Sequence, residues 1–330
     1  MTMQPLVTDS PFVSPGRPPG SAVIETRGLT RYFGDTKAVD TLTLRVPRGS
    51  VFAFLGRNGS GKTTTIRMLL GLLRPTRGSS SVLGQDSQAI TPETRARIAY
   101  VSESHTAYKW MSVRQSADYQ SRFYRNWNSK VFEAIRGHFN LDPRAKVAGL
   151  SRGERAGLAL ALALAPDPEL LILDDPALGL DPVARRSLLE SMIYATRGGD
   201  RTIFFSSHLL EDVERVADYL AILDRSVLRA CCPVETFRSH VRQFALTFDG
   251  SAPPQLPAIR GLLRTERSPN ILRLTIASPD ESTQAALRGL GAASVHEIAV
   301  GFNDALIGYL GDRGERDFFL ANTSPTEIRQ

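Results

Sequence analysis

The chain has 330 residues, 42% of them hydrophobic and 22% charged, with a formal net charge of +6; that length suits two domains better than one, and the composition is that of a globular protein. Its two cysteines, Cys231 and Cys232, are adjacent, which excludes a disulfide framework and predicts a reducing, cytoplasmic setting. The mild positive charge is spread along the chain and singles out neither nucleic acid nor a membrane surface, and no run of about 18 apolar residues is present to cross a bilayer.

Residues 1–21 are rich in Pro and Gly and lack the apolar core of a signal peptide, so a disordered leader is expected there. Residues 22–26 have a short strand pattern, and 41–46 alternate apolar and polar as a half-buried strand does. The continuous apolar run at 51–55 predicts a buried central strand. Helical periodicity follows over 63–73 and stops before Pro75. Residues 98–101 read as a strand, and 113–139 carry helical spacing with many polar residues, as a helical insertion would. Buried-strand signals return at 170–173 and 202–205, while 220–223 and 227–230 flank Asp224-Arg225-Ser226 as a hairpin. Helical runs at 185–195 and 209–217 lie between these strands, and the alternation predicts an α/β fold with a mostly parallel sheet. A second, smaller α/β unit follows, with strands at 243–248, 271–276 and 294–298 and helices at 256–263, 280–290 and 303–310. The tail, 315–330, is polar and expected to be flexible.

The chemistry begins after the first buried strand. Gly56-Arg57-Asn58-Gly59-Ser60-Gly61-Lys62-Thr63 matches the P-loop pattern between a strand and a helix, the context that motif requires. Its glycines let backbone N–H groups converge on phosphate oxygens, and the following helix offers its unpaired N–H groups and positive dipole end. Lys62 is then the group that reaches the β- and γ-phosphates, Thr63 places a hydroxyl on Mg²⁺, and Thr64 closes the ATP-binding segment. The strand Leu170-Leu171-Ile172-Leu173 ends in Asp174-Asp175, and Asp174 is the expected Mg²⁺ carboxylate.

Leu150-Ser151-Arg152-Gly153-Glu154 stands before a long helical run. Ser151 and Glu154 have capping-box spacing. A Ser and a Gly at a helix start also form a second anion site. One chain cannot bring two such sites to one nucleotide, so this second reading requires two chains.

With these segments in order, residues 22–230 resemble the ABC ATPase family. Leu150 to Glu154 is similar to its signature motif, Ala177-Leu178-Gly179-Leu180-Asp181 to its D-loop, and Ser206-Ser207-His208 to its switch-histidine loop. The resemblance implies a P-loop NTPase fold with a mostly parallel central sheet, an antiparallel β-subdomain, a helical insertion and a small C-terminal α/β extension. It implies an ATPase domain over 22–240 with its helical subdomain near 103–155, and an accessory domain over 241–314. It further implies that Phe33 or Tyr32 stacks on adenine, that His208 holds the γ-phosphate, that Asp181 and the Ser151, Gly153 and Glu154 segment meet the nucleotide across a homodimer or a pair with a closely similar ABC ATPase, and that ATP and Mg²⁺ are the ligands. Tyr100 to Glu103 with Met111 to Val113, and Val300 to Ile307, resemble the ATPases that pair with ABC-2-type permeases. An exporter motor, cytoplasmic and peripheral on the membrane through an integral-membrane permease, is therefore expected, with Trp110 and Met111 as exposed apolar contacts and no nucleic acid expected as a partner. A soluble ABC-type ATPase acting on ribosome or nucleic acid, or an ATP-binding regulatory module, is the alternative.

Two positions depart from the family pattern. Glu103 stands where a glutamine meets Mg²⁺ and the attacking water, and Asp175 stands where a glutamate is the general base. Asp is one methylene shorter, about 1.5 Å by bond geometry, and a base works only within hydrogen-bond reach. Slow hydrolysis, or reliance on Glu103 or a bridging water to position the nucleophile, follows as an expectation.

Overall fold

The computed structural model describes residues 6–7, 22–105, 107–196 and 201–310. The expected leader and tail fall outside the described residues, except for the two-residue strand β1 (Leu6–Val7), which pairs in parallel with residues 230–231. The chain divides into two compact units, Met1–Phe237 and Arg238–Gln330.

In the first unit, β2 (Ala22–Phe33), β3 (Thr36–Pro47), β4 (Val51–Gly56), α1 (Lys62–Leu69), β5 (Arg77–Val82), β6 (Gln85–Asp86), α2 (Pro92–Arg95) and β7 (Ile98–Val101) come first. Then come α3 (Val113–Ser121), α4 (Ser129–His138), α5 (Arg152–Leu164), β8 (Leu170–Leu173), α6 (Pro182–Thr196), β9 (Thr202–Ser207), α7 (Leu210–Val216), β10 (Tyr219–Asp224) and β11 (Val227–Pro233). Among the described residues, seven strands form one sheet in the order β1-β11-β10-β4-β9-β8-β7. The run from β10 to β7 is parallel, and β10 and β11 are the expected antiparallel hairpin. Every residue of β4, β8 and β9 is buried, as strands covered on both faces must be. The rings of Phe52 and Phe54 pack on Phe204, with centroids 5.7 and 5.3 Å apart. Cys231 and Cys232 lie buried in β11, where burial pushes both thiols up, Cys232 to about 12, so neither forms a reactive thiolate.

A second sheet, β3-β2-β5-β6, is antiparallel. The strand expected at 22–26 runs on to Phe33, paired with β3 on one side and β5 on the other. The helical stretch 113–139 is broken in two, because the Asn128 side chain accepts from the N–H groups of Lys130 and Val131 and starts α4 afresh. The helix after the P-loop ends at Leu69, short of the expected 73. Met111 is buried, so only Trp110 of the expected apolar pair is exposed.

Helix α8 (Val234–His240) spans the boundary between the units. The second unit holds β12 (Val241–Thr247), β13 (Leu262–Arg267), β14 (Ile271–Ala277), α9 (Glu281–Arg288), β15 (Ser294–Ile298) and α10 (Phe302–Leu310), with an antiparallel sheet in the order β13-β14-β12-β15. The helix expected at 256–263 is absent: those residues form a loop that runs into β13. Pro257 disfavours a helix there. Gly261 takes φ +77 with its Cβ position 2.2 Å from the Ala277 carbonyl oxygen, a close approach that only glycine allows. Leu246, Leu272, Leu274 and Ile276 form this unit's own core.

Candidate active site

The parallel register sets the site. Leu55 pairs with Ser207, Val101 with Leu173, and Leu173 with Phe205, so the four strands end along one rim. Gly56, Glu103, Asp174, Asp175 and His208 leave the sheet there, at the carboxyl ends where open α/β sheets bind ligands.

The P-loop makes the first wall. A Cβ at Gly56 would lie 2.3 Å from Ser60 Oγ and 2.5 Å from the Leu223 carbonyl oxygen, so the loop closes this tightly only over glycine. Gly61, at φ +105, is the N-cap of α1 and supplies no side-chain cap, which leaves the first-turn N–H groups for an anion. Lys62 is buried and donates to the carbonyl oxygens of Gly56 at 2.7 Å and Arg57 at 3.3 Å. Burial lowers its pKa, and the carboxylates of Asp175, Asp174 and Glu103 oppose that shift. The Ser60 hydroxyl is buried with no hydrogen-bond partner among the described residues.

The second wall is a small hydrogen-bond network. Thr63 Oγ1 donates to Asp174 Oδ1 at 3.1 Å, and Ser206 Oγ donates to the same oxygen at 2.9 Å. Ser206 Oγ also accepts from the Asp175 N–H at 2.9 Å. Asp175 takes φ +48, an uncommon left-handed conformation for a non-glycine residue. Its Oδ2 lies 2.8 Å from His208 Nδ1; a carboxylate only accepts, so Nδ1 carries the proton. Its Oδ1 is buried with no partner among the described residues.

These walls enclose a cavity of roughly 270 Å³ lined by Ala38, Asn58, Gly59, Gly61, Lys62, Thr63, Thr64, Glu103, Asp174 and Asp175. Thr63 and Asp174 offer hard oxygen donors to Mg²⁺, but no group of three or more His, Cys, Asp or Glu side chains is gathered to hold a metal among the described residues. That fits an ion which keeps waters and takes phosphate oxygens as its remaining ligands.

The remaining expected residues do not line this cavity. Ser151 caps α5: its hydroxyl accepts from the Glu154 N–H at 3.2 Å, while Glu154 Oε2 accepts from the Ser151 N–H at 2.7 Å, a complete capping box. A Cβ at Gly153 would lie 2.6 Å from Ala184 Cβ, so this glycine lets α5 and α6 approach closely. Asp181 Oδ1 accepts from the N–H groups of Val183 and Ala184 at 2.9 and 3.0 Å and starts α6. At the end of β2, the Arg31 guanidinium lies 4.7 Å over the Phe33 ring and the Lys37 ammonium 5.6 Å over that of Tyr32. Arg57 is exposed on the P-loop.

Three features escaped the sequence reading. Ser206, quoted only as a neighbour of His208, joins the Asp174 carboxylate to the Asp175 backbone N–H. His105, two residues past Glu103, is buried with Nε2 3.0 Å from the Pro176 carbonyl oxygen, and burial lowers its pKa. Arg185 of α6 pairs with Asp212 of α7 at 2.5 Å, and burial pushes the Asp212 carboxyl up while the guanidinium opposes it.

A glycine-lined cradle, a buried lysine and paired carboxylates at the ends of parallel strands define a P-loop nucleotide-binding protein. The ABC transporter family profile matches residues 39–178. The chain is 33% identical to the bacitracin transport ATP-binding protein of Bacillus licheniformis, over 68% of this chain and 74% of that one. It is 31% identical to the Nod factor export ATP-binding protein I of Rhizobium sp. (strain N33), over 89% and 98%. It is 34% identical to the uncharacterized ABC transporter ATP-binding protein YhaQ of Bacillus subtilis, over 82% and 92%. The solved structure of an ATP binding subunit of an ABC transporter superposes with a TM-score of 0.59 at 29% identity, covering 66% of this chain and 92% of that one. The chain belongs to the family of ABC transporter ATP-binding subunits, which are ATPases.

Proposed function

We propose that this chain is the motor subunit of an exporter: it binds MgATP between two head-to-tail copies of itself and drives a separate integral-membrane permease from the cytoplasmic face. One observation carries the reading. Lys62, Thr63, Asp174, Asp175 and Glu103 line one cavity, while the second helix-start anion site, headed by Ser151, does not line it. A partner copy brings that second half to the same triphosphate, and nucleotide binding becomes closure between subunits. The names of the bacitracin and Nod factor relatives support the exporter reading. A permease is supported by a row of exposed rings following Glu103: Trp110, Tyr108, Tyr119 and Phe123 are 66, 54, 42 and 68% exposed and touch in series. Such a patch is suited to a protein partner. No helix among the described residues is long and apolar enough to cross a membrane.

The P-loop N–H groups and Lys62 hold the phosphates, and Phe33 or Tyr32 takes the adenine. Thr63, Asp174 and Glu103 would hold Mg²⁺, which would supply positive charge to offset that of the phosphates. His208 Nδ1–H holds Asp175 Oδ2, and the Asp175 carboxylate, which lines the cavity, would accept the proton of an attacking water. The water oxygen bonds the γ-phosphorus as the bond to the leaving ADP oxygen breaks. A γ-phosphate oxygen only accepts, so His208 would hold it through Nε2 only with both ring nitrogens protonated. Because Asp175 is one methylene short of the glutamate in the family pattern it resembles, its reach is poor and turnover is slow in this proposal.

Steady-state ATPase assays on Asp175 variants test this. Asp175→Asn is expected to lower kcat about 100-fold, and Asp175→Glu to match or exceed the wild type. An Asn variant as fast as wild type would remove Asp175 as the base. A chain that binds ATP with no turnover in either carboxylate form would instead favour the regulatory-module reading.

A further inference from the structure

The last rung between β7 and β8 is the Asp174 N–H donating to the Val101 carbonyl oxygen at 2.9 Å. Past it the two chains leave the sheet. On one side runs the turn Ser102-Glu103-Ser104-His105, closed by the His105 N–H on the Ser102 carbonyl oxygen at 3.0 Å. On the other side runs Asp175-Pro176. The His105 imidazole, 5% exposed, rejoins them: its Nε2 lies 3.0 Å from the Pro176 carbonyl oxygen. A carbonyl only accepts, so Nε2 carries the hydrogen. The rung and the imidazole therefore close a ring that carries Glu103 on one arm and Asp175 on the other. Both arms contain a left-handed non-glycine residue, His105 at φ +46 and Asp175 at φ +48. Such a conformation is strained and persists only where its surroundings hold it.

We propose that His105 is a positioning residue for the ATPase site: its Nε2–H bond to Pro176 fixes the Glu103 turn against Asp175, so that the two carboxylates face the Mg²⁺–nucleotide at a set separation. This rests on the proposed role of Glu103 at the metal. The ring has a reason to exist in this chain. With an aspartate as base, Asp175 has no length to spare, and a misplacement of about 1 Å costs on the order of 100-fold in rate.

The side-chain geometry supplies a sharp test. Glutamine places its amide nitrogen where Nε2 sits in histidine, whereas asparagine places its own nearer the Nδ1 position. His105→Gln is expected to keep the tether and His105→Asn to lose it. Mn²⁺ serves as the probe for Mg²⁺, its binding to the full-length chain with a non-hydrolysable ATP analogue read by electron paramagnetic resonance. His105→Asn is expected to weaken Mn²⁺ binding several-fold and lower kcat by 10- to 100-fold at little-changed KM for ATP, with His105→Gln within about twofold of wild type on both. In a Glu103→Ala background the Asn change is expected to have no further effect on Mn²⁺. Asn and Gln variants that behave alike, or an Asn effect that persists in full without Glu103, would overturn the tether and leave His105 as packing. A Glu103→Ala variant with wild-type Mn²⁺ affinity would instead overturn Glu103 as a metal group, and the tether with it.

Discussion

At the scale of residues, the site is governed by a few short hydrogen bonds, and Ser206 carries more of them than its place in the sequence suggests. Its single oxygen donates to Asp174 and accepts from the Asp175 N–H, both at 2.9 Å and both fully buried. Ser206→Ala leaves a buried carboxylate oxygen and a strained backbone N–H without that partner. A loss of about 1–3 kcal/mol of stability is expected, together with a kcat at least tenfold lower, and thermal melts with ATPase assays check both. A variant with wild-type values would mean that Thr63 and His208 suffice to hold the pair. The contributions of Gly56 to Thr63, Asp174 and His208 were legible because each sits in a fixed pattern relative to a buried strand. Ser206 and His105 were not, because a serine inside a strand and a histidine in a turn have no distinguishing spacing. Their roles exist only where β7, β8 and β9 end side by side.

At the scale of elements, the fully buried strands declared themselves. Val51 to Leu55, Leu170 to Leu173 and Thr202 to Phe205 are apolar runs, and their burial on both faces is the physical reason. Strand β5 did not: its Arg-Gly-Ser-Ser-Ser-Val sequence has no alternating apolar face, and it is a strand because its backbone pairs with β2. The helix expected at 256–263 failed for the opposite reason, since spaced leucines suggest a helix while Pro257 and Gly261 forbid one.

The far ends of the same strands are pinned by charge. Glu169, just before β8, pairs with Arg97, just before β7, and with Arg48 at 3.0 Å. The Arg97 hydrogen bond, with Arg48 helping against partial burial, lowers the Glu169 carboxyl from 4.5 to about 2. A lowered carboxyl contributes stability that is complete above its unfolded value and is lost as the pH falls from about 4.5 toward 2. The groups are more than a third exposed, so the contribution is about 1 kcal/mol or less. Glu169→Gln is expected to lower the Tm by about two degrees or less at pH 7 and by a smaller amount at pH 2, as followed by circular dichroism. An equal loss at both pH values would assign the effect to packing.

At the scale of the whole molecule, the proposed function gives the chain two incomplete phosphate sites. One is a cavity lined by Lys62 and Asp174. The other is the start of α5, where Ser151 and Glu154 satisfy each other in a capping box. The capping box and the anion site are compatible, since the cap uses one lone pair of the hydroxyl and leaves its hydrogen to give to a phosphate oxygen. In the proposed dimer, a second copy brings the two halves together.

The most direct measurement is the mass, by sedimentation equilibrium, of the full-length Asp175→Asn chain with saturating Mg²⁺ and ATP, alone and with Ser151→Arg added. The expected result is a dimer with two bound nucleotides that reverts to a monomer when ATP is withheld or Ser151 is replaced. An ATP-saturated chain that stays monomeric, or dimers that form regardless of Ser151 and nucleotide, would contradict a shared site.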